Sequence, residues 1–177
     1  MFLEFVLSVL VAATGTSPSA ANSANPLELA EKGLLQCWHP NRVNRTCQAI
    51  ISYRKTGLRT YDHTSVVLVS SYGPLTVETQ APVFVRDDAV CDTIRTEEIE
   101  AGTLREGGHI LAPAEAAGIL RQIAERVAPF EGQKTCTRYE RSGDDFIAKV
   151  WVSGKYKSEL DMDVKWITPA DGYSVKP

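Results

Sequence analysis

Residues 145–167, DFIAKVWVSGKYKSELDMDVKWI, carry the clearest structural signal in the chain. Phe146, Ala148, Val150 and Val152 alternate with Ile147, Lys149 and Trp151; Leu160, Met162, Val164 and Trp166 alternate with Asp161, Asp163, Lys165 and Ile167. Successive side chains of a strand point to opposite faces, so each run predicts a strand with one buried face. Ser142-Gly143-Asp144 and Ser153-Gly154-Lys155 supply the turns, which makes residues 135–167 an antiparallel meander. A sheet of this kind needs its apolar face covered.

The expected cover is a helix over residues 113–128. Pro113 suits the first helical position, where its missing N–H would be unpaired anyway, and Pro129 ends the element. Ala116, Ile119, Leu120, Ile123 and Val127 fall on one face, and Arg121 and Glu125 on the opposite, solvated one. No other long helix is predicted. The fold expected is therefore α+β, an antiparallel sheet covered by one main helix.

The rest of the chain reads mostly as strand. Asn25-Pro26-Leu27-Glu28 opens a short helix that runs to Lys32. Segments 47–53, 65–69, 75–79, 82–85 and 90–95 are rich in β-branched and apolar residues, with turns at Tyr72-Gly73-Pro74 and Arg86-Asp87-Asp88. Residues 96–109 read as a charged loop with a turn of helix near 97–101.

Length and charge narrow the function. The 177 residues suit one domain, and a net charge of −3 without a basic block excludes a nucleic-acid or anionic-membrane footprint. Phe5 to Ala13 is a short apolar run, followed by a small polar tract with Ser19 and Ala21 at the −3 and −1 positions of a cleavage site. This predicts a signal peptide over 1–21 and a single domain over 22–177. The acid at Glu4 is atypical of such a leader. No second apolar segment is long enough to span a bilayer.

The cysteines agree with export. Cys37, Cys47, Cys91 and Cys136 allow three pairings. Cys37–Cys47 with Cys91–Cys136 is favoured, the first closing a local loop and the second joining strands on either side of the helix. A zinc site at Cys37 and His39 is the rival, but paired cysteine spacing is missing.

No convergent catalytic set stands out. No nucleotide loop, nucleophile elbow or zinc-protease helix is present. Asp62-His63-Thr64-Ser65 gathers an acid, an imidazole and hydroxyls, but neighbours on an extended chain point apart. Glu97, Glu98 and Glu100, and Asp87 and Asp88, read as ordinary charged turns. Asp161 and Asp163 lack the further oxygens that calcium needs. The most distinctive surface is the loop between Cys37 and Cys47, where Trp38, His39, Arg42 and Arg45 have the composition of an interaction hot spot.

Gly132, Cys136, Tyr139, Gly154 and Trp166, with the ending Pro169-Ala-Asp-Gly-Tyr-Ser-Val175, resemble a group of small exported bacterial proteins of unknown function. The resemblance implies a periplasmic or secreted location, and no cofactor or catalytic residue. The expectation is a non-enzymatic binding module for a protein or small-molecule partner in the envelope. The alternative is a hydrolase whose site is assembled from distant loops around His63 or His109.

Overall fold

The computed structural model describes residues 25–70 and 74–176. The expected leader lies outside them, as does most of the turn at Tyr72-Gly73-Pro74. A short helix α1 (Glu28–Glu31) leads into strands β1 (Leu35–Trp38), β2 (Thr46–Cys47), β3 (Ala49–Lys55), β4 (Thr60–Ser70), β5 (Leu75–Arg86) and β6 (Ala89–Thr93). Helix α2 (Thr96–Glu100), the strands β7 (Thr103–Glu106) and β8 (His109–Ile110), and helix α3 (Pro113–Val127) form an excursion. The chain returns through β9 (Lys134–Ser142), β10 (Asp145–Val152), β11 (Lys155–Tyr156) and β12 (Met162–Ile167), then ends in β13 (Ser174–Val175) beside β2.

Eight of these strands close on themselves. The antiparallel order is β1-β3-β4-β5-β6-β9-β10-β12, and β12 pairs back to β1 through Leu35↔Ile167 and Trp38↔Val164. The expected α+β sheet under a main helix is therefore corrected to a closed β-barrel. The physical reason is that a strand buried on one face shows the same alternation in a barrel wall as in an open sheet. The meander itself is present. Phe146, Ala148, Val150 and Val152 face the barrel interior with Met162, Val164 and Trp166, as their shared register requires.

Helix α3 forms over nearly the predicted residues, and Ala116, Leu120 and Ala124 are its buried positions. Its packing partner differs from the expected one. Leu120 and Ala116 pack with Val77, Leu104 and Val67, on the inner-face continuation of β4, β5 and β7 at one end of the barrel. The opposite end is plugged by the α1 segment. Leu27, fully buried, and Ala30 sit among Tyr61, Val83, Val85 and Val90. Glu31 accepts hydrogen bonds there from Tyr61 (2.5 Å), Lys55 (2.9 Å) and Asn25 (2.9 Å).

Two further departures have simple causes. Segments 75–79 and 82–85 are one strand, because Pro82 falls where β5 has a neighbour on one side only. A proline is tolerated there, since its missing N–H leaves no ladder partner orphaned. Within 96–109 the expected turn of helix is present as α2, but the rest, read as loop, forms the β7–β8 hairpin.

Candidate binding site in the barrel lumen

An eight-stranded barrel has an interior just wide enough for side chains or for one small ligand. Register assigns the inward positions, since directly opposed residues share a face. Gln36 opposes Ile51 and Trp166; Tyr53 opposes His63, and His63 opposes Ala81; Ser65 opposes Thr79; Asp92 opposes Thr135; Tyr139 opposes Ala148. Ala49, Ser65, Ala81 and Ala148 are small, and Trp38, Tyr53, His63, Thr79, Ala81 and Tyr139 are only half-buried although they point inward. Their remaining exposure lies toward the barrel ends and the stretch of β5 that lacks a second neighbour.

Gln36 organises this space and is fully buried. Its Oε1 accepts from Trp38 Nε1 at 3.2 Å, Tyr53 Oη at 3.1 Å and Tyr139 Oη at 3.2 Å. The two phenols lie 3.4 Å apart, so either can turn its one proton to the other in place of Gln36. Indole N–H is only a donor, so Trp38 fixes which end of the amide faces these groups. The Nε2 end is then left buried without a hydrogen-bond partner. Burial pushes both phenols up, so they remain protonated donors.

His63 stacks on Tyr53 with ring centroids 5.7 Å apart. Its Nδ1 is also buried and unpartnered. Burial lowers its pKa to about 4, so the ring is neutral at ordinary pH. Two orphaned polar atoms in one lumen are uncommon, because leaving each unpaired costs about 1–3 kcal/mol.

One stretch of the wall lacks a strand neighbour on one side. Strand β7 pairs with β5 over 75–78 and β6 pairs over 84–86, so residues 79–83 have β4 alone as a neighbour. Inward-facing Thr79 and Ala81 lie along this gap, with Asp92 on the facing strand. Asp92 accepts a hydrogen bond from Thr135 Oγ1. Burial raises its pKa to about 6; nearby Glu98 adds to the rise and Arg95 opposes it. Arg95 and Glu98 are themselves paired at 2.8 Å at the start of α2.

The residues singled out from sequence are placed differently from one another. Trp38 turns into the lumen, while His39, Arg42 and Arg45 stay on the exposed loop outside, so the four are not brought together. Arg42 pairs with Asp145, and Arg45 takes a left-handed backbone. His63 lies within β4 rather than in a loop, and His109 is exposed on β8. Asp161 accepts from Lys149 (2.7 Å) and Tyr156 (2.5 Å). The disulfides are Cys37–Cys47 and Cys91–Cys136, both on the outer face. Among the described residues no group of three His, Cys, Asp or Glu side chains could hold a metal.

Sequence reasoning missed Gln36, Tyr53, Asp92 and Tyr139. Gln36 and Asp92 carried a signal, each setting a polar group among apolar residues of its strand, whereas Tyr53 and Tyr139 carried none. Compared with known proteins, the chain matches no family model, no curated protein and no solved structure.

Proposed function

We propose that the protein is an exported, non-enzymatic binding protein that holds a small ligand in its barrel lumen. The observation that carries this reading is the pair of unpartnered buried atoms, Gln36 Nε2 and His63 Nδ1, beside the Tyr53 and Tyr139 rings on the inner face of the wall. The ligand they fit is compact and largely apolar, with an oxygen acceptor for the Gln36 amide and a polar atom for the imidazole. Trp38, Tyr53 and Tyr139 would pack against its faces, and the break in strand pairing beside Asp92 would admit it. Export is supported by the apolar leader and by two disulfides, which persist in oxidising compartments. No helix among the described residues is long and apolar enough to cross a membrane.

Native mass spectrometry of protein purified without denaturation from an envelope extract tests the reading. Wild type should carry a small bound mass that is absent from Ala81→Phe, which places a ring in the lumen beside that break. Equal retention by a folded Ala81→Phe would place the ligand elsewhere and overturn the proposal. Intact mass on the same material tests export: the chain should begin near Asn22.

A further inference from the structure

A second site lies on the outer wall, independent of the lumen. Phe84, Cys91, Cys136, Trp151 and Tyr156 are directly opposed in turn across five neighbouring strands. At about 4.8 Å per strand this row is roughly 19 Å long. It faces outward, with Phe84 on one side of the Cys91–Cys136 bridge and Trp151 and Tyr156 on the other. Trp151 and Tyr156 pack with centroids 5.1 Å apart, and Tyr156 is 45% exposed.

Cations flank the row. Lys134 Nζ sits 5.7 Å from the centre of the Phe84 ring, and Arg138 Cζ 5.1 Å from that of Trp151. With Arg86 they line a groove of about 500 Å³ whose floor includes both cysteines. Arg138 meets Asp88 at 2.9 Å and Arg86 meets Asp87 at 3.9 Å, both as exposed pairs of the kind that contribute little. Lys134 has no carboxylate within ion-pair distance among the described residues. Three cations face the two carboxylates of Asp87 and Asp88, which leaves a net positive groove on a chain of net charge −3 and favours an anionic ligand.

The spacing and chemistry narrow the class. Lys134 and Arg138 are held over different rings, so their charges suit a ligand with separated anionic groups rather than one compact ion. The groove lies on a sheet face whose backbone groups are spent in the ladder, so an extended peptide would find no main-chain partners. A sugar chain needs only side-chain donors and flat apolar surface. We propose that the groove binds an acidic oligosaccharide, its carboxylates taken by Lys134, Arg138 and Arg86 and one sugar ring resting on the exposed Tyr156 ring at the groove's edge.

The test is calorimetric titration with a short oligogalacturonate at low and at physiological salt. A neutral oligosaccharide of equal length and poly-glutamate serve as comparators. Wild type should bind the oligogalacturonate, more weakly as salt rises. Lys134→Gln/Arg138→Gln should bind at least tenfold more weakly, and Arg86→Gln several-fold more weakly should the double variant not fold. Arg121→Gln, on exposed α3, and the lumen variant Ala81→Phe should bind as wild type does. No binding by wild type, equal binding of the neutral sugar, or unchanged affinity in the folded groove variants would overturn the proposal. Tighter binding of poly-glutamate would overturn it too, marking the groove as a surface for an acidic protein segment.

Discussion

At the residue scale, two buried titrating groups in the lumen oppose each other. His63 has a folded pKa of about 4, below its ordinary 6.5, so the unfolded chain binds more protons between those values. Its contribution is fully present above about pH 6.5 and is lost as pH falls toward 4. Asp92 has a folded pKa of about 6, above its ordinary 3.8, so the folded chain binds more protons there. Its contribution is present below pH 3.8 and is lost as pH rises through 6. Between pH 4 and 6 the two slopes nearly cancel. Asp92→Asn removes one of them. Relative to wild type, its unfolding free energy should rise by about 2–3 kcal/mol from pH 4 to pH 6. Denaturant melts across that range check this, and parallel pH profiles for the two proteins would count against a buried Asp92. Gln36→Leu is a second residue-scale case. It strands the Trp38 indole and weakens the tie to two phenols, and should cost about 1–3 kcal/mol in the same melts.

At the element scale, α3 covers an apolar face, though not that of the β9–β12 meander. Leu120, 5% exposed between Val77 and Leu104, should cost about 2–5 kcal/mol when changed to alanine. Arg121→Ala, on the exposed side of the same helix, should stay within about 0.5 kcal/mol of wild type. Denaturant melts with unchanged slope would check the contrast, and equal losses would mean the helix is not seated on β5 and β7. Gly102, between α2 and β7, gives a second test of that seat. A Cβ there would lie 2.9 Å from the Ile99 carbonyl and 3.0 Å from that of Glu78, both rigid backbone. Gly102→Ala should therefore destabilise despite lowering the entropy of the unfolded chain.

The helix, its buried stripe and the β10–β12 alternation were legible because each is a local periodicity. Which face of which sheet the helix covers was not, because that depends on pairings between residues far apart in sequence. Pro82 hid the continuity of β5, since a proline reads as a break unless the strand is known to lack a neighbour there. The lumen site was hidden for the same reason. Gln36, Tyr53, Asp92 and Tyr139 lie on four different strands, and only closure of the wall brings them together. Trp38 was legible as a notable residue, but its direction was not, because one step along a strand turns a side chain from outside to inside.

At the scale of the whole molecule, the Cys91–Cys136 bridge joins the strands on either side of the α2–β7–β8–α3 excursion. Closing that loop should stabilise by about 4 kcal/mol through the unfolded chain. A Cys91→Ala/Cys136→Ala variant should lose much of that in denaturant melts, and a negligible loss would mean the excursion is ordered without it. The central claim is that eight strands close around a mostly apolar lumen that holds a polar cluster at Gln36. Nuclear Overhauser contacts from the Gln36 side-chain amide protons test it most directly, because the partners lie on strands far apart in sequence. The account predicts contacts to the Tyr53 and Tyr139 rings together, with the Gln36 resonances moving when the lumen is occupied. An amide that sees neither ring, or whose resonances match those of an exposed glutamine, would contradict it.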